Sequence, residues 1–139
     1  MSDNSSALVA ALNGEFAAIY AYGVIGAHLK GAAQALATQA ESDHRDLRDR
    51  ITMAMSSPPA AAVVYRMPAP VTDRGSALAA AVTVEQRVAA LWRQALAATT
   101  GDTRKTALDA LIAGAVRTTE FRRLAGTLPG TVPFPGLTG

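Results

Sequence analysis

The placement of prolines constrains this 139-residue chain most. Pro58, Pro59, Pro68 and Pro70 crowd one segment, Pro129, Pro133 and Pro135 crowd the end, and no other proline occurs. Proline removes an amide donor and clashes with the preceding helical turn, so the proline-free stretches are where long helices can form. Alanine, the best helix former, fills 31 positions, and aromatic residues are only 5%. That balance favours helix over sheet. Apolar spacing and breakers then divide the chain into helical segments at about 6–29, 32–55, 74–99 and 103–125, with a Pro/Gly-rich tail over 126–139. The length suits a single domain spanning 1–139.

Gly31 after Leu29-Lys30, and Gly101-Asp102, predict tight turns that fold the segments into two antiparallel hairpins. Ser5 or Ser6 is expected to cap the first helix, and Asp102 to accept bonds from the free amides of the fourth. The connection from Ser56 to Asp73 is different in kind. A segment of that length can reach ~60 Å, against ~36 Å for a helix of about 24 residues, so it can run the length of a bundle. Short, long, short is the connection pattern of ferritin-like bundles with one crossover, whereas simple up-down bundles use three short loops. The expected fold is therefore all-α: a ferritin-like antiparallel four-helix bundle with a long connection between helices 2 and 3.

Composition removes several kinds of function. With no cysteine there is no disulfide, thiol nucleophile or thiolate metal site, and a metal would need His, Asp or Glu. Thirteen basic residues against eleven acidic give a net charge of +2, and the eleven arginines and two lysines are scattered without aromatic interleaving. This argues against a nucleic-acid partner. No uninterrupted apolar run reaches the ~18 residues of a membrane span, and Met-Ser-Asp-Asn-Ser-Ser lacks the start of a secretory signal. A soluble, cytoplasmic protein without a membrane partner is expected. Nucleophile elbow, phosphate loop and dinucleotide fingerprint are all missing.

Chemistry enters along the stripes that should face the bundle core, read at alternating steps of three and four. The first is Leu8, Leu12, Glu15, Ile19, Tyr22, Gly26, Leu29; the second is Leu36, Ala40, His44, Leu47, Ile51, Met55; the third is Leu78, Val82, Glu85, Ala89, Trp92, Leu96. Each carries one ionisable residue near its middle, at heights that agree within about a turn and a half. A carboxylate in an apolar core costs several kcal/mol of hydration unless a proton, a base or a metal neutralises it. Two readings follow. Glu15, Glu41, His44 and Glu85 could hold one Fe, Mn or Zn ion, because Glu41-Ser42-Asp43-His44 has the Glu-x-x-His spacing of di-iron bundles. Alternatively the acids are neutralised by His44 and Arg48 in a metal-free network, and the chain is a structural or protein-interaction bundle. The fourth stripe, read as Leu108, Leu111 or Ile112, Ala115, Thr119, Arg122, offers no second Glu-x-x-His, since Glu120 is followed by Arg123. That counts against a two-metal centre.

The run from Glu15 through Tyr20, Tyr22 and His28 to Leu29 is one part of a wider pattern, with His44-Arg-x-x-Arg48-Asp49, Met67 to Asp73 and Phe134-Pro-Gly-Leu137. Together these resemble a ferritin-like domain family of unknown function found mainly in high-GC Gram-positive bacteria. The resemblance covers essentially the whole chain. It implies a ferritin-like bundle without a transferable activity, and its recurrent polar positions match Glu15, His44, Arg48 and Glu85. It also implies that ferroxidase activity and iron storage are in doubt, because the helix-four ligands are missing.

His28, near the end of the first helix, suits the negative end of the helix dipole better than a ligand role. A haem or small-molecule site using His28 and His44 is the weakest reading. Trp92 reads as core. Phe134 and Leu137 predict that the tail docks, on its own bundle or on a second subunit, and alanine-rich faces make a homodimer the expected assembly.

Overall fold

A computed structural model describes residues 6–137, which contain α1 (Ser6–Gly26), α2 (Gly31–Ala54), α3 (Arg74–Ala98) and α4 (Gly101–Leu124), with no strand among the described residues. The chain is all-α. α1 stops three residues early because its end tightens into three-residue bonds, from His28 N to Ile25 O at 3.0 Å and from Leu29 N to Gly26 O at 3.2 Å. Gly31 and Gly101 open α2 and α4 at φ of 59° and 60°, a conformation that strains other residues. These two helices start with no side-chain cap bond from Lys30 or Thr100. Asp102 therefore does not cap α4 as expected; it sits inside the first turn, where its charge faces the positive helix end. Ser6 is the first residue of α1, and Ser5 lies outside the described residues. α3 starts on a reciprocal cap, in which the Asp73 carboxylate accepts from Ser76 N at 2.8 Å and Ser76 Oγ accepts from Asp73 N at 3.0 Å. The bond from Ser76 N, together with one that Ser76 Oγ donates to Asp73 Oδ1 at 2.7 Å, holds the Asp73 carboxyl below its usual range.

α1 packs broadly on both α2 and α3, α3 packs on α4, and α2 meets α4 along a narrower seam. Early α1 meets late α3 through Glu15 and Trp92, while late α1 meets early α3 through Tyr22 and Glu85. α1 is thus antiparallel to α3. It is also antiparallel to α2 across the Gly31 turn, so α2 and α3 run parallel and residues 55–73 must traverse the bundle between them. On the way Tyr65 stacks on Tyr20 of α1 with ring centroids 5.6 Å apart. Arg74 at the start of α3 then reaches Leu124 O at the end of α4, 3.5 Å away.

The core stripes of α1, α2 and α3 fall near the predicted positions, but that of α4 does not. Its buried residues are Ala107, Ala110, Gly114, Arg117, Thr118 and Phe121, one position before the expected series. The reason is steric. α4 approaches α3 closely around Gly114, where a methyl group would already touch Ala89 Cβ at 3.8 Å, and the neighbouring buried positions Ala107 and Ala110 are small as well. The larger Leu108, Ile112 and Val116 are turned outward. α1 is long and apolar enough to cross a membrane by length and composition, although polar residues such as Asn13 and Glu15 interrupt its apolar run. Here it is a core helix with Glu15 fully buried at its centre.

The tail folds back on its own bundle, though not through the side chains expected. Phe134 and Leu137 remain 71% and 58% exposed. Instead Arg122 donates to Pro129 O at 2.8 and 3.1 Å, and Gly136, at φ 84°, lies on α3 and α4. A Cβ at Gly136 would meet Ala89 O at 2.9 Å and Arg93 Cβ at 3.1 Å. Gly136→Ala is accordingly expected to release the tail and leave the helices intact. Amide hydrogen exchange should show protection lost over 127–137 alone; an unchanged pattern would mean that Gly136 is not the anchor.

Candidate functional site

The first three helices bring Glu15, His44 and Glu85 together, all fully buried, at the level where the stripes predicted a meeting. The order of contacts begins with Trp92 Nε1, which donates to Glu15 Oε1 at 2.7 Å. His44 Nδ1 donates to Glu15 Oε2 at 2.5 Å, and His44 Nε2 to Glu85 Oε1 at 2.8 Å. Glu85 Oε1 also accepts from Tyr22 OH at 2.7 Å and from Arg117 Nε at 2.9 Å. Arg117 extends the series to the rim, where its NH1 stands 3.5 Å from Asp43 Oδ2. The Tyr22 ring stacks on His44 at 5.7 Å and on Phe121 at 6.0 Å, closing one side.

Sequence spacing explains how so short a list of residues closes on itself. Tyr22 lies seven residues after Glu15, and Trp92 seven after Glu85. Seven residues are nearly two helical turns, so each donor shares a face with its acid. Because α1 and α3 are antiparallel, each acid meets the other helix's donor. The arrangement is reciprocal, with Tyr22 serving Glu85 and Trp92 serving Glu15.

A histidine whose two nitrogens both face carboxylate oxygens at bonding distance is donating twice and is therefore an imidazolium. Burial alone pushes its pKa down; the bonds to Glu15 and Glu85 and their charges more than offset this and hold it at about 9. Burial pushes the Glu85 carboxyl up, but His44, Arg117 and Tyr22 hold it below its usual range. The same surroundings leave the Tyr22 phenol well above its usual value, through burial first and the Glu85 charge second. The Arg117 guanidinium is raised too, since the Glu85 charge outweighs its desolvation. Two carboxylates and two cations balance within the core.

Glu41 and Arg48 lie outside this cluster. Glu41 faces Arg45 at 3.3 Å on the outer face of α2, and Arg48 pairs with Asp49 at 2.8 Å with its guanidinium 5.9 Å from the Phe16 ring centre. His28 is exposed at the end of α1, where Nδ1 donates to Val24 O at 3.1 Å. Three members of the network were missed as polar partners: Tyr22 and Trp92, read as packing, and Arg117, which the misplaced α4 stripe left off the core.

A metal fits these residues poorly. Both His44 nitrogens are committed to carboxylates, Glu41 points away, and the fourth helix presents a cation to Glu85. Among the described residues no group of three or more His, Asp or Glu side chains is arranged to hold an ion. One atom stands apart: among the described residues Glu85 Oε2 is the buried side-chain oxygen without a hydrogen-bond partner, and it faces the bare backbone of Gly114.

Fold and site together define an all-α four-helix protein organised around a buried, self-neutralising ion network. Over residues 7–139 the sequence matches the family described as domain of unknown function DUF4439, and the chain belongs to that family. It is also similar to the crystal structure of a conserved hypothetical protein, rv2844, from Mycobacterium tuberculosis. The two are 35% identical with a TM-score of 0.83, over 88% of this chain and 96% of that one. No functionally curated protein matches the sequence.

Proposed function

We propose that the chain is a non-catalytic structural or protein-interaction module of ferritin-like descent, whose inter-helix site is occupied by its own charges instead of a metal. The carrying observation is the double engagement of His44, bonded to Glu15 through Nδ1 and to Glu85 through Nε2. In di-iron bundles the glutamates and Glu-x-x-His pairs converge on metal. Here the imidazolium fills the space between the acids, and Arg117 from α4 supplies the second positive charge. Such a network ties all four helices together at one level, because its members come from α1, α2, α3 and α4 and bond to one another.

The test is metal analysis of the purified chain after exposure to Fe(II), Mn(II) or Zn(II) and removal of free ions. Far less than one ion per chain is expected, together with two slowly exchanging ring N–H signals from His44 at neutral pH. One ion per chain, lost in both Glu15→Gln and His44→Gln, would overturn the reading in favour of a single-metal site.

A further inference from the structure

The outward turn of Leu108, Ile112 and Val116 leaves an apolar stripe on the solvent side of α4, and the docked tail forms a wall beside it. Between them lies a trough of about 640 Å³. That size lies within the range of small-molecule sites. Its α4 wall extends from Leu111 to Arg123, ~18 Å of helix, so the space is elongated.

Its charge is uneven. Arg123 and Glu120 line one end within a helical turn of each other, and their charges offset locally. Arg93 lines the other end beside Leu111, where Gly136 lies against both, and among the described residues no acid lines the trough there. The Arg93 side chain has no hydrogen bond or ion pair among the described residues. An elongated apolar trough with a guanidinium at one end complements a linear apolar chain ending in an anion.

We propose that the trough between α4 and the C-terminal tail binds a single-chain aliphatic carboxylate, its chain along Ile112, Val116, Val132 and Phe134 and its head group on Arg93. The tail makes the face concave, which suits a narrow chain better than the helix of a second copy.

The experiment is calorimetric titration of the full chain with dodecanoate below its micelle-forming concentration, with dodecanol and dodecyltrimethylammonium as uncharged and cationic controls. One dodecanoate per chain is expected, with amide shifts confined to α4, the tail and the Arg93 turn. Binding should weaken by about tenfold for dodecanol, on the order of one charge-assisted contact. Arg93→Ala should remove the preference for dodecanoate over dodecanol. Ile112→Glu should abolish binding of both; that side chain is 54% exposed, and an unchanged helical melt would show that folding is intact. Equal binding of the cationic control, or an unaltered preference in Arg93→Ala, would overturn the proposal. So would a dimer dispersed by Ile112→Glu in a chain that takes up no dodecanoate, which would assign the face to a second copy.

Discussion

Glu85→Ala is expected to cost roughly 3 to 5 kcal/mol of folding stability, the usual loss when one partner is removed from a buried ionic cluster. Glu85 Oε1 receives His44, Tyr22 and Arg117 at 2.7 to 2.9 Å, so its removal strands the buried Tyr22 hydroxyl and leaves each cation with one acid, His44 with Glu15 and Arg117 with Asp43 at the rim. Domains of this size commonly have only about 5 to 15 kcal/mol in total, so the variant should be near the limit of folding. Glu85→Gln separates charge from hydrogen bonding. Its amide oxygen can still accept at the Oε1 position, while its amide nitrogen would face Gly114 as an unpaired donor. It should fold with an intermediate loss. Urea unfolding of the three proteins measures the series, and equal stability of Glu85→Ala and wild type would show that the network contributes little to the fold.

The same cluster shows how much of the molecule can be read from its sequence. Proline placement and the two glycine turns give the hairpins and the long connection, because each rests on local backbone chemistry. Glu15, His44 and Glu85 are legible as lone ionisable residues in apolar rows, since burial of a charge demands a partner wherever it occurs. Which partner is a tertiary matter. Arg48 and Glu41 stand one turn from His44 along α2 and look available, yet their side chains leave the core and pair with nearer charges on the surface. Arg117 was obscured for a different reason: hydrophobicity misleads on α4, where close approach to α3 selects alanine and glycine and sends the larger aliphatics outward. Tyr22 and Trp92 carry a readable signal, the seven-residue offset from each acid. It acquires meaning only once α1 and α3 are known to be antiparallel neighbours.

Stability should fall as the solution is made alkaline, over a window fixed by His44. Its pKa rises from 6.5 to about 9 on folding, so the folded state holds this proton more tightly than the unfolded chain does. The resulting stabilisation is complete below about pH 6.5 and is lost as pH rises through about 9, in total roughly 3 kcal/mol. Loss of the proton leaves Glu15 and Glu85 facing a neutral ring, with Arg117 the remaining cation beside them. Tyr22 extends the decline above pH 10, because its phenol ionises more readily in the unfolded chain than beside Glu85. Glu85 acts in the opposite direction. Its lowered value gives stability that is present above the usual carboxylate range and disappears as pH falls through the folded pKa. Stability is therefore expected to peak between the ordinary carboxylate and histidine values and to decline on both sides. Urea midpoints from about pH 2 to about pH 10, paired with the ring nitrogen shifts of His44, check both limbs. His44→Gln should flatten the profile between about pH 6.5 and 9 and also weaken the acid limb, because His44 is the first of the groups that hold the Glu85 carboxyl down. A His44 ring that titrates near 6.5 in the folded protein would remove the imidazolium from the core, and with it the charge balance of the inter-helix network.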